Sequence, residues 1–355
     1  MQKNWFRLLL YPFTLIFATI VMVRNQLFDW GVLESTRYNL PIISVGNLTV
    51  GGTGKTPLTE LIIRHLEKHK LIALLSRGYG RKTKGVIIAS SSDDYNNIGD
   101  EPMQIKTKFK NIIVAVAEKR RDGIESLLKL THSPQVILLD DAFQHRYVNP
   151  GLSIVVMDYY RPIWKDFCLP AGNLREPKKG LNRANLVVVN KCPSDLSKLG
   201  ALHIQKKLRI SNPEILFFTT IHYGEPVPLI PQTTSFLNHL NETGKTLVAM
   251  AGIGNPQPFF NMAKKFNVPL TTLKFPDHHD FTSSDIRKME ALYYGEKKTE
   301  SIMLTTEKDA IRLYSTSGLS DQILQNIWYI PIELQFLFDA QSRFEKNIDS
   351  YVAEN

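Results

Sequence analysis

Residues 49–56, Thr49, Val50, Gly51, Gly52, Thr53, Gly54, Lys55 and Thr56, directly follow the apolar stretch PIISVGNL. That stretch has the continuous hydrophobicity of a strand buried on both faces. Behind the loop, Leu58, Leu61, Ile62, His65 and Leu66 recur at helical spacing. A glycine turn between strand and helix presents successive N–H groups at a helix N-terminus, where the partial positive charge favours phosphate. Gly51, Gly52 and Gly54 let the backbone approach closely, Lys55 adds a point charge for the outer phosphates, and Thr56 can then ligate Mg2+. The usual G-x-x-x-x-G-K-[ST] pattern would place glycine at position 49, which is threonine here, and the extra lysine of many variant loops would fall at Val50.

Acidic groups supply the second half of such a site. VILLDDAFQHR closes an apolar run on Asp140 and Asp141, where a P-loop enzyme keeps the carboxylate that holds magnesium; capping a helix is the competing use of such a pair. Gln144 and His145 follow closely enough to reach the same mouth, with roles that spacing leaves open. NNIGDEPMQIK sets Asp100 at the start of an expected helix with Pro102 just inside it, so a capping role competes with chemistry there too. FPDHHDF crowds Asp277, His278, His279 and Asp280 between phenylalanines. The cluster suits a metal, or an imidazole steered by a carboxylate that takes the proton from a hydroxyl attacking a γ-phosphate.

Holding these groups in place requires strands that end on them. Apolar runs at 71–75, 111–117, 136–141, 152–158 and 185–191 are separated by enough chain for crossovers, which predicts an α/β lobe whose parallel sheet is covered by helices on both faces. After Lys191 the polar break CPSDLSKLG leads to ILFFTTI, KTLVAMAGIG, SIMLTTEKD and NIWYIPIEL, read as a second, smaller α/β lobe. The expected division is an N-terminal segment 1–24, a P-loop domain 25–191 and a C-terminal lobe 192–355. From Leu8 to Val23 the chain is uncharged and is flanked by Lys3, Arg7 and Arg24. Its sixteen residues fall short of the roughly 20 that span a bilayer, and Pro12 disturbs the first turns, so a membrane-associated monotopic helix is expected, against a signal peptide or a core helix.

Composition agrees with that division. The 355 residues carry 43 Lys+Arg against 34 Asp+Glu, a net charge of +9 that suits anionic lipid, nucleic acid or a phosphorylated ligand. Two cysteines, Cys168 and Cys192, without CxxC spacing, indicate neither a disulfide framework nor a cysteine zinc site and fit a reducing compartment.

In combination SVGNLTVGGTGKTP, SRGYGR, GDEP, DDAFQH, LREP, FPDHH and TEKDAIR resemble, in order, the motif series of the tetraacyldisaccharide 4'-kinase family, the lipid A 4'-kinases of Gram-negative bacteria. The family commonly has glycine where Ala142 stands. The resemblance implies a P-loop kinase lobe, ATP as co-substrate with Mg2+, and transfer of the γ-phosphate to the 4'-hydroxyl of a lipid A disaccharide 1-phosphate precursor. That reaction would run at an anionic membrane surface, on the cytoplasmic face of the inner membrane. Carried over, Asp100 and His278 form a dyad that activates the acceptor hydroxyl, Lys55 neutralises phosphate, and Asp140 and Asp141 associate with magnesium. Arg77, Tyr79, Arg120, Arg121, Gln144, His145, Arg175 and Glu176 become candidates for substrate or phosphate contacts, surface ion pairing being the alternative for each arginine.

No obligate protein partner is inferred. A membrane-associated nucleotide switch or metallochaperone-type GTPase is the competing class: VVVNKCP approximates the guanine-reading N-K-x-D, but Pro193 occupies the aspartate position and FPDHH is left without a role. A nucleic-acid ATPase would suit the charge, yet no recognition module is present and the apolar N-terminus would go unexplained.

Overall fold

The structure, a computed structural model, describes residues 9–243, 246–295, 301–314, 316 and 318–355. Lys3 and Arg7, the basic flank of the expected anchor, lie outside the described residues together with Leu8. The first strands in chain order are β1 (Ile42–Gly46), β2 (Ile72–Ser76), β3 (Ile87–Ile88), β4 (Ile113–Val116), β5 (Val136–Asp140), β6 (Leu152–Asp158) and β7 (Leu186–Asn190). They are followed by β8 (Leu216–Tyr223), β9 (Val227–Pro228), β10 (Leu247–Ala251), β11 (Leu270–Lys274), β12 (Ile302–Thr306), β13 (Ile327–Ile330) and β14 (Ile332–Phe336).

Nine strands form the larger sheet, in the order β14-β8-β7-β6-β1-β5-β2-β4-β3. Its interior is parallel, as the unbroken apolar runs predicted, and β1, β2, β5 and β7 are buried along their whole length. Both edges are antiparallel, so the sheet is mixed: β3 pairs with β4, and β14 with β8. The smaller sheet, β11-β10-β12-β13-β9, is parallel except for β9.

Residues 192–355 contribute to both sheets. β8 extends the larger one, the chain leaves for the smaller one, and β14 brings it back. NIWYIPIEL, read as one strand, divides at Pro331, which has no N–H to donate and ends the ladder, so β13 and β14 belong to different sheets. The outgoing and returning crossings lie side by side, with Gly224 N donating to Pro331 O at 2.9 Å. The last helix, Gln341–Glu354, then lays Phe344, Ile348 and Val352 onto the larger lobe, where the Phe344 ring centroid sits 5.2 Å from that of Phe217.

The N-terminal helix runs Tyr11–Asp29, further than the apolar segment alone suggested, and Pro12 sits in its first turn, where a missing N–H costs nothing. One side packs on the larger lobe. Thr14 Oγ1 accepts from Ala171 N at 2.9 Å, Asn25 Nδ2 donates to Glu176 Oε2 at 3.1 Å, and Phe28 is buried. The other side leaves Phe13, Ile16 and Ile20 about 60% exposed. Among the described residues, no helix is long and apolar enough to cross a membrane.

Candidate active site

Parallel register brings the carboxyl ends of β1, β5, β6 and β7 to one edge, where open α/β sheets bind ligands. The glycine loop leaves β1, and its helix, Lys55–Leu66, begins at Lys55. Gly54 has φ 90°, and a Cβ built on it would lie 1.9 Å from Asn190 Nδ2, so only glycine fits. Lys55 Nζ stands 3.5 Å from Asp141 Oδ1, and Thr56 is buried beneath the loop.

Asp140 and Asp141 end β5 in contrasting surroundings. Burial, reinforced by the Glu101 carboxylate, pushes Asp140 up to about 7 against the pull of Lys55. Burial works on Asp141 as well, but there Lys55 and Arg175 outweigh it and hold the carboxyl below its usual range. Arg175 Nη1 donates to both Asp141 oxygens, at 2.8 and 2.9 Å.

Thr56, Glu101 and Asp140 line one small cavity together with Thr59, Leu74 and Ile105. Its polar donors are all oxygens, and carboxylates crowded this closely disfavour ionisation, which a divalent cation would relieve. The set therefore fits Mg2+. Among the described residues no three His, Cys, Asp or Glu side chains converge as a candidate metal cluster.

Asp100 opens the helix Asp100–Lys108 as its first residue, with Gly99 at the cap position, and its Oδ1 accepts from Glu101 N at 2.9 Å, so it serves the helix's first turn as well as facing His278. The aspartate is buried and its Oδ2 lies 2.8 Å from His278 Nδ1, joining the larger lobe to the loop after β11. Burial would raise the Asp100 carboxyl, yet the bond to His278 and the charges of Lys308 and Arg312 together hold it well below its usual range. His278 is raised above its ordinary value chiefly by the hydrogen bond to Asp100, with burial opposing. Its backbone is left-handed at φ 55°, and the Tyr79 ring packs edge-on at 5.5 Å.

Sequence reasoning missed the groups behind this pair. Arg312, from the helix Glu307–Tyr314 after β12, is buried, donates through Nη2 to Asp100 Oδ2 and through Nη1 to Asp309 Oδ1 at 3.0 Å. Asp309 Oδ2 in turn accepts from Gly252 N at 2.9 Å, and His278 N donates to Gly252 O at 3.2 Å. Beside them Lys308 bonds Glu101, and Lys108 bridges Glu307 at 2.7 Å and Glu60 at 2.6 Å. A cue existed: charges placed directly after a buried strand, the same signal that singled out Asp140.

The remaining candidates separate by environment. Arg77 and Tyr79 are exposed at the mouth. Arg120 is buried behind β5, donating to Asp140 O at 3.0 Å, and burial lowers its pKa to about 10. Arg121 lies over the Tyr147 ring at 5.8 Å. Gln144 Nε2 donates to Asn47 O and Glu176 Oε1, both at 2.9 Å, while buried Glu176 also accepts from Arg183 at 2.8 Å, tying loop to N-terminal helix. His145 is half-buried and pushed down to about 4 by burial, with Arg120 and Arg77 adding to the effect. His279 stacks on Phe275 and pairs with Asp285 at 2.9 Å, away from the dyad.

A glycine loop between a central parallel strand and a helix, with acidic groups at the neighbouring strand end, defines a P-loop α/β protein. The family model described as Tetraacyldisaccharide-1-P 4'-kinase, LpxK, matches residues 6–353, and the chain belongs to that family. It is 41% identical over 348 residues to the tetraacyldisaccharide 4'-kinase of Phocaeicola vulgatus, covering 98% of this chain and 95% of that one. Identity to the Flavobacterium johnsoniae enzyme of the same name is also 41%, over 99% of both chains. The crystal structure of LpxK from Aquifex aeolicus in complex with ATP superposes with a TM-score of 0.76 at 28% identity, covering 98% of this chain and 99% of that one.

Proposed function

We propose that this chain is an ATP-dependent lipid kinase, transferring the γ-phosphate of ATP to the 4'-hydroxyl of tetraacyldisaccharide 1-phosphate in lipid A biosynthesis. The observation that carries the mechanism is the Asp100–His278 pair, made across two lobes at 2.8 Å. The Asp100 carboxylate accepts a hydrogen bond from Nδ1–H, which leaves Nε2 as the face that takes the proton of the attacking hydroxyl. Lys55 and the loop N–H groups neutralise the phosphates, since phosphoryl transfer demands positioning and charge compensation more than covalent chemistry. Thr56 and Asp140, with Glu101 adjoining, would hold Mg2+, whose charge would offset that of the phosphates. Tyr79, exposed against the His278 ring, and Arg77, exposed just past the end of β2, would meet the sugar or its phosphate.

The N-terminal helix presents the substrate's surface to this cleft. Its inner side is fixed by Thr14, Asn25 and Phe28, so the free apolar side lies in the interface while the acyl chains stay in the bilayer. Membrane attachment is therefore peripheral or monotopic, on the face where ATP is available. Labelled γ-phosphate followed onto lipid by thin-layer chromatography, with ATP and GTP compared, tests the reading. Transfer from ATP to the tetraacylated acceptor is expected; nucleotide hydrolysis without labelled lipid would favour a switch protein instead.

A further inference from the structure

VVVNKCP ends β7 two strands from β1 and has no part in the reaction above. Its polar side chains turn to the glycine loop. Asn190 is fully buried, donates through Nδ2 to Thr53 O at 3.0 Å, and accepts from Thr219 Oγ1 at 3.0 Å. Lys191 Nζ donates to Gly52 O at 2.6 Å. Just beyond the end of β6, Arg161 reaches the same side of the loop, donating to Gly52 O at 3.1 Å and Val50 O at 3.3 Å. Asp158 lies 2.8 Å from Lys191 and 3.3 Å from Arg161, balancing both cations.

A trans peptide plane points its carbonyl and the following N–H in opposite directions. Holding the carbonyls of Val50, Gly52 and Thr53 from the β6–β7 side therefore turns the N–H groups of Gly51, Thr53 and Gly54 the other way. None of these three donates to a backbone carbonyl among the described residues. We propose that Asn190, Lys191 and Arg161 are positioning residues that clamp the carbonyl side of the loop, with Asp158 as their shared counter-charge, so that its donors are aimed before a nucleoside triphosphate arrives. The inference rests on the loop being the cradle for ATP phosphates, and it gives N-K a role that needs no guanine-reading carboxylate. Donors aimed in advance spare the ordering cost at binding.

Sign distinguishes a clamp from mere positive charge. If Lys191 and Arg161 acted only by attracting phosphate, removing Asp158 would leave the site more positive and tighten ATP binding. If they clamp, the same change frees both cations from their posts and weakens it. The full chain is assayed in mixed micelles for ATP KM, lipid KM and kcat, with thermal midpoints confirming the fold. Lys191→Met and Arg161→Met remove partly exposed cations, and each should raise ATP KM about tenfold, the loss of one charge-assisted hydrogen bond, with lipid KM unchanged. Lys191→Arg should recover most of that loss, and Asp158→Asn should raise ATP KM. A lowered or unchanged ATP KM in Asp158→Asn, or wild-type ATP KM in both methionine variants, overturns the clamp. Lys55→Ala run in parallel separates the two claims: normal ATP KM there refutes the cradle itself, whereas a raised value beside unaffected Lys191→Met and Arg161→Met refutes only the clamp.

Discussion

His278 and Asp100 make a testable pair because each alters the other's proton affinity. The imidazole must be neutral at Nε2 to accept a proton, and Asp100 raises it above the ordinary value of about 6.5. Activity should therefore fall as pH drops through that raised value. Lys308, Arg312 and Asp277 also face the pair, but the Asp100 bond acts most strongly. Asp100→Asn should lower kcat by about a hundredfold or more and move the acid limb of kcat/KM to lower pH; an acid limb that stays put would take His278 out of the proton transfer.

Arg312 is a positioning residue of the same unit. Arg312→Met leaves Asp309 buried without its cation and should cost about 3–5 kcal/mol of stability by denaturant unfolding, with kcat reduced and Arg312→Lys intermediate. These roles were unevenly legible. Asp100 and His278 could be paired only through the family resemblance of GDEP and FPDHH, since spacing alone left one as a possible cap and the other within an open cluster. Arg312 also follows a buried strand, but nothing in that local cue pairs it with Asp100, 212 positions away, a bond that exists only once both lobes are folded.

Strands announced themselves where burial on both faces erased polar alternation, as in β1, β5 and β7. Where an element changes partners, the pattern was silent. IWY and IELQF read alike, yet only Pro331 between them marks that one strand extends the smaller sheet and the other the larger. The loop and the N-terminal helix carry element-level predictions. Gly54→Ala forces a left-handed backbone and drives its Cβ into the Asn190 amide that holds Thr53 O, so ATP binding should be lost by direct titration while the fold persists. Replacing Phe13, Ile16 and Ile20 by serine should reduce recovery with sedimented anionic vesicles and leave the melting temperature unchanged, because these side chains touch no core. Equal recovery would place membrane contact elsewhere.

Across the molecule, a set of ion pairs and hydrogen bonds joins the two lobes. Asp100, His278, Arg312, Lys108 and Glu307 all pair across the cleft, so the His278 imidazole keeps its position only while the lobes stay docked. The oxygen donors around Asp140 also predict that chelating divalent cations abolishes phosphoryl transfer, and that Mg2+ restores it; undiminished transfer in chelator would remove the ion from the reaction.

The paired crossings at Gly224 and Pro331 nest one lobe inside the other. On the ribosome, residues through β8 emerge long before the strand that must flank them, so a nascent chain carries β8 as a bare edge. The surface awaiting Phe344, Ile348 and Val352 stays open just as long. Synthesis must nearly finish before the first-made half can close, which makes the unfinished polypeptide a natural client for chaperones and makes late truncations far more damaging than their length suggests.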